Sequence, residues 1–178
     1  YLADPVALVV RHLEEYLIQE ALFIQPHKLQ RFMLYTSILA QFNQELCHVV
    51  TGQQESTVLL EEARRANLLI ATEAADGKRY FHYPRLLGSA LQARLKRQEP
   101  EIIASLHQQV AVWYREQGDF IAAIDHWLLT PFLNLAVSLI EQHLATMLEQ
   151  HQYDILRRWL ASLPASMVDS MPLLSLVQ

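Results

Sequence analysis

Cys47-His48 is where covalent chemistry would first be sought, because Cys47 is the chain's single thiol. A cysteine nucleophile needs a base facing it. Adjacent helical residues point about 100° apart, so this pair forms no dyad by itself. Leu46, Cys47 and Val50 can share an apolar face, which predicts a packed thiol. His143 and His151 lie two helical turns apart and could share a face. A zinc site needs further ligands, and with none in view both read as solvated histidines. The acidic pairs Glu14-Glu15 and Glu61-Glu62 read as solvated helix faces rather than as acid–base carboxylates.

No phosphate-cradling G-x-x-x-x-G-K-S/T occurs, nor G-x-G-x-x-G, nor the zinc-binding H-E-x-x-H. The sequence thus offers no catalytic group, no metal site and no resident cofactor to name. Net charge is −5, whereas a protein gripping many phosphates carries a basic excess or a basic face. No stretch approaches the roughly 18 charge-poor apolar residues of a membrane span. A lone cysteine excludes an internal disulfide framework and fits a reducing, cytoplasmic setting. Tyr1 is no initiator, and the chain stops inside an apolar run, so it reads as a segment of a longer protein.

The elements that would carry these residues are mostly helices. Apolar residues make up 52% of the chain and glycines number only four, too few for an all-β domain with many tight turns. Asp4-Pro5 predicts a helix start, and Val6, Val9, Val10, Leu13, Leu17, Ala21 and Ile24 form its stripe. A linking helix is expected over residues 1–25. A second helix follows over Lys28–Tyr35, and a third over Gln44–Val50 with Asn43 as cap and Gly52 as stop. A fourth, Thr57–Ala66, has Ser56 as its expected cap. Leu68–Thr72 and Arg79–Tyr83, joined across Asp76-Gly77, read as a β-hairpin. Helices followed by a two-stranded hairpin make a winged helix, expected over residues 26–98.

Residues 99–178 read as antiparallel helix pairs. Ile102, Leu106, Val110 and Trp113 line one helix, Gly118 stops it and Asp119 caps the next. Thr130-Pro131 is the expected cap-plus-proline start of another helix. Tyr114, Gly118 and Ala123 resemble the middle of a tetratricopeptide repeat, in which a small residue lets helices approach. The expected fold is therefore mainly α: a winged helix with a small hairpin, then a TPR-like arm. In a winged helix that reads DNA, the helix before the wing enters the major groove. Here Glu61 and Glu62 offset Arg64 and Arg65 on that helix.

Several segments together resemble one family. Phe32-Met33-Leu34-Tyr35-Thr36-Ser37-Ile38-Leu39 is similar to the F-L-x-x-T-S-I-L segment of MalT-like, LuxR-type, ATP-dependent transcriptional regulators, which belong to the STAND ATPases. Leu46-Cys47, Thr51-Gly52, Leu60-Glu61 and Ala66-Asn67-Leu68 follow in register. So do Leu106-His107, Trp113-Tyr114, Gly118, Ala123-Ile124-Asp125-His126, Leu139-Ile140-Glu141, Trp159–Pro164 and Pro172-Leu173. The match is collinear over nearly the whole chain.

The resemblance implies a parent with an upstream nucleotide-binding domain using ATP or ADP, a sensor domain for a small-molecule inducer, and a DNA-binding domain. This segment would be the relay between them, packing on those neighbours, with the parent oligomerising when activated. One departure concerns nucleotide sensing. Phe81-His82-Tyr83-Pro84-Arg85-Leu86-Leu87 places Pro84 where the family's Y-R-Y-H-x-L-F has histidine. The phosphate contact which that histidine implies cannot pass to Pro84, leaving His82 and Arg85 as candidates, since arginine suits phosphate recognition. Two other readings remain: a helical-repeat scaffold for a partner protein, and a winged helix that binds DNA itself.

Overall fold

The computed structural model describes residues 22, 24–52, 55–74 and 77–168. Most of the expected first helix, the pair Glu14-Glu15, Asp76 of the hairpin turn and Pro172-Leu173 lie outside them. The chain divides into two compact units, one ending at Ile103 and the other beginning at Ala104.

The first unit contains α1 (His27–Thr36), α2 (Gln44–Thr51), α3 (Ser56–Arg65), β1 (Ile70–Glu73), β2 (Arg79–His82) and α4 (Arg85–Gln98). This is the winged-helix order. Asn43 caps α2 as expected, its Oδ1 accepting from the Leu46 N–H at 2.9 Å. Gly52, at φ 62°, closes the same helix in the left-handed region. Asn67 does the equivalent for α3 at φ 56°, where the Leu68 N–H donates to the Ala63 carbonyl. Ser56 departs from expectation. Glu55 occupies the cap position without a side-chain capping bond, and Ser56 is buried as the first helical residue.

β1 and β2 pair antiparallel, with Ala71 opposite Phe81 and Glu73 opposite Arg79. Phe42, in the loop between α1 and α2, forms a bridge to β2. Its N–H donates to the Phe81 carbonyl at 2.8 Å, and the Phe81 N–H donates back at 2.7 Å. The wing is thereby hydrogen-bonded to the helical layer, whose core includes Phe32, Met33, Phe42, Leu46 and Leu91.

α5 (Pro100–Glu116) begins before the division and continues into the second unit. That unit adds α6 (Phe120–Trp127), α7 (Leu133–Glu149), α8 (Tyr153–Ser162) and the short α9 (Ala165–Val168). Gly118 stops α5 at φ 80°, and Asp119 Oδ1 caps α6 on the Ala122 N–H at 3.0 Å. Ala123 is fully buried, as close helix packing requires, in a cluster with Trp127, Ile140, Met147 and Trp159. Thr130 is a correction. α7 starts at Leu133 with Phe132 at the cap, while Thr130 donates to the Trp127 carbonyl and accepts from the Phe132 N–H. It therefore closes the preceding turn instead of capping α7. Asp125 stitches α6 to α8, accepting from Trp159 Nε1 at 2.6 Å and from Arg158 Nη2 at 2.8 Å.

Asn43→Ala removes a neutral cap acceptor without disturbing the core. It is expected to cost about 1 kcal/mol of first-unit stability, read as a lower urea midpoint at unchanged slope.

Candidate functional site

The strand-to-helix junction after the wing carries both nucleotide-sensing candidates. Tyr83 organises it. Its side chain is buried, its ring lies 5.4 Å from that of Phe42, and its hydroxyl shares a 2.6 Å hydrogen bond with Thr36 Oγ1. Burial pushes the phenol pKa upward, so Tyr83 remains a neutral hydrogen-bonding anchor. Thr36 also donates to the Phe32 carbonyl at 2.8 Å, which ties the junction to the last turn of α1.

His82, half-buried at the end of β2, and exposed Arg85, the first residue of α4, flank this anchor. Neither side chain makes a hydrogen bond or ion pair among the described residues. Pro84 occupies the cap of α4 with no side-chain bond, and the first turn contains no acidic residue. No side chain caps the leading N–H groups of this helix, and its first residue is an arginine; a helix N-terminus favours negative charge.

Two further contacts hold α4 in place. Gln92 Nε2 donates to the Ser37 carbonyl at 2.7 Å. Arg31 Nε donates to the Tyr35 hydroxyl at 2.9 Å, and that hydroxyl donates to Glu99 Oε2 at 2.8 Å, at the helix's C-terminal cap. Sequence reading did not assign functions to Tyr83, Thr36, Tyr35 or Glu99. The T-S pair and the alternating aromatics of the wing were visible signals, but not their partners.

The helix preceding the wing has an electrostatic surface unlike a basic DNA reader. Glu61 accepts from Arg64 at 2.6 Å and from Arg65 at 3.3 Å. The hydrogen bond from Arg64 leads in holding the Glu61 carboxyl down at about 2, and Arg65 adds to it. Both arginines of α3 are therefore engaged by one carboxylate. Cys47 is buried in the same unit, and burial pushes its thiol up to about 12, so it packs as a neutral group.

In the second unit, His107 and His126 approach Nδ1 to Nδ1 at 2.8 Å, and Tyr114 stacks on His126 at 5.7 Å. A hydrogen bond between two imidazoles requires one ring nitrogen to accept, hence to be unprotonated. His143 stacks on Phe120, with ring centroids 3.7 Å apart, while His151 bends left-handed at φ 57° to close α7. No group of three or more His, Cys, Asp or Glu that could hold a metal occurs among the described residues. No helix among them is long and apolar enough to cross a membrane.

Residues 18–103 match the family model described as the MalT winged helix domain. This segment is MalT-like. It is 29% identical over 167 residues to the HTH-type transcriptional regulator MalT of Klebsiella pneumoniae, covering 94% of the chain and 18% of that protein. It is 27% identical over 171 residues to MalT of Vibrio parahaemolyticus, with the same coverages. The serine/threonine-protein kinase PknK of Mycobacterium tuberculosis is 28% identical over 158 residues, 89% of the chain and 14% of the kinase. The chain thus spans less than a fifth of the length of these relatives. In this MalT-like segment, the T-S pair supplies Thr36, the A-N-L segment supplies left-handed Asn67, and the L-H and A-I-x-H segments supply the paired imidazoles.

Burial pushes His126 down from 6.5 to about 4, which makes second-unit stability pH-dependent. The unfolded chain binds that proton more readily, so the contribution is full above pH 6.5 and lost as pH falls toward 4. The expected loss is on the order of 3 kcal/mol. Thermal melts across that range should show a falling midpoint, and His126→Gln should flatten the dependence.

Proposed function

We propose that this chain is an interior relay of a signal-responsive, ATP-dependent transcription regulator. It couples nucleotide state and inducer binding in domains outside the segment to oligomerisation and DNA binding elsewhere in the parent. The observation that carries the reading is the breadth of its relatives. One MalT-like segment spans nearly the same stretch in proteins named as transcription regulators and in a protein named as a kinase. An element common to different effectors is suited to transmitting a state rather than producing the output.

The charge arrangement on α3 supports leaving DNA recognition to another domain, because Glu61 already holds Arg64 and Arg65. Fluorescence anisotropy with labelled duplex DNA should show no binding by the 178-residue chain at low or moderate salt. Tight binding that weakens steeply with salt would instead make the wing and α3 the DNA reader.

The finer proposal assigns nucleotide sensing to the wing junction. Arg85, with His82 beside it, would meet a phosphate of bound ADP at the uncapped start of α4 and hold the resting state. Activation would then be a shift in population toward an open, oligomerising form as ATP and inducer bind. In the intact parent, Arg85→Ala with His82→Ala should weaken ADP binding by about ten-fold, near 1.4 kcal/mol. Unchanged ADP affinity by calorimetry removes both residues from nucleotide sensing and leaves the relay reading to be judged by the DNA titration.

A further inference from the structure

The second unit contains a groove of about 530 Å³ that the relay reading leaves without a role. Its volume falls within the roughly 300–1,000 Å³ of small-molecule sites. The floor is apolar and buried, formed by Ile124 of α6, Met147 of α7 and Trp159 of α8. One wall is the Phe120–His143 stack, its rings tilted by 27° and 3.7 Å apart. These two rings line the groove together with the apolar floor residues, a lining suited to an aromatic ring. Gln117 and Gln150 line the groove and are exposed, bringing amide donors and acceptors to its edge.

Charge narrows the ligand class. Neither lysine nor arginine is among the lining residues described, so nothing of fixed positive charge would compensate a buried anion. Asp119 supplies the groove's carboxylate while also capping α6. Trp159 Nε1 is already committed to Asp125, leaving its ring to act as an apolar surface. The elements are tied at several points: Asp125 joins α6 to α8, and the Phe120–His143 stack joins α6 to α7. A pre-formed groove spares a ligand much of the ordering cost of binding.

We propose that this groove is a small-molecule site for an uncharged or singly cationic aromatic ligand. The ring lies on the Phe120–His143 wall and over the Ile124, Met147 and Trp159 floor, while its polar edge meets the Gln117 and Gln150 amides. The site belongs to the helical unit itself and requires neither nucleotide nor DNA.

Three fluorinated probes with one ring and different charges test it: fluoroindole, fluorotryptamine and fluoroindole acetate. Each is titrated with the 178-residue chain and followed by fluorine NMR line broadening. The neutral and cationic probes should bind saturably, and the anionic probe about ten-fold more weakly or worse. Thr146→Trp, at an exposed lining position of α7, should fill the groove and lower binding of the first two probes by about ten-fold. Gln117→Trp, at an exposed lining position after α5, provides the same block should the first variant melt early. Absence of saturable broadening, equal binding of all three charges, or undiminished binding in a folded blocking variant overturns the proposal.

Discussion

The hydroxyl of Tyr83 against Thr36 Oγ1, 2.6 Å apart inside the winged helix, is the contact on which the first unit's functional geometry depends. A buried phenol left without a partner would carry the cost of desolvating its hydroxyl, on the order of 1–3 kcal/mol. Thr36 removes that cost only when the strand-to-helix junction returns to the end of α1. The requirement fixes where β2 ends and where α4 begins. It also leaves His82 and Arg85 flanking a residue that cannot turn outward without breaking the bond and exposing its ring. The backbone bridge between Phe42 and Phe81 holds the preceding strand in the same place.

The second unit is held by buried apolar packing with a few polar stitches. Ala123 permits close approach, while Trp127, Met147 and Trp159 fill the cluster around it. Asp125 is held by both Arg158 and Trp159, so an exposed carboxylate gains a fixed orientation across α6 and α8. The His107–His126 pair adds a polar contact that requires an unprotonated nitrogen. The same close packing leaves the groove between α6, α7 and α8 with an apolar floor. Helix pairs that meet at a tight turn diverge away from it, and side chains rather than backbone decide what fills the space.

Across the winged helix, charge is distributed so that opposite signs meet locally. Glu61 with Arg64 and Arg65 uses up the cations on α3, and Lys28 reaches Glu55 at 2.8 Å. The start of α4 differs, with a guanidinium, uncapped N–H groups and no acid in its first turn. Such a local contrast does not depend on net charge, so the phosphate contact proposed for Arg85 is compatible with a chain of charge −5.

The sequence by itself determined the order of α1 to α3, the hairpin and α5 to α8, and several helix ends, but it did not mark α4. Asn43, Gly52, Gly118 and Asp119 act through local backbone geometry that their own side chains, or the lack of one, dictate. Apolar periodicity likewise marked the helices, and the aromatic alternation marked the wing. Ser56 and Thr130 escaped the same reasoning because packing overrode a local preference. Ser56 is buried at the first helical position, and Thr130 closes the turn after Trp127. Only the tertiary structure decided which distant residues meet. Thr36 and Tyr83, Tyr35 and Glu99, His107 and His126, and Asp125 and Trp159 are each separated by 19 or more positions. No helical or strand period links such positions; they meet because burying the apolar faces brings them together, where their polar groups must find partners.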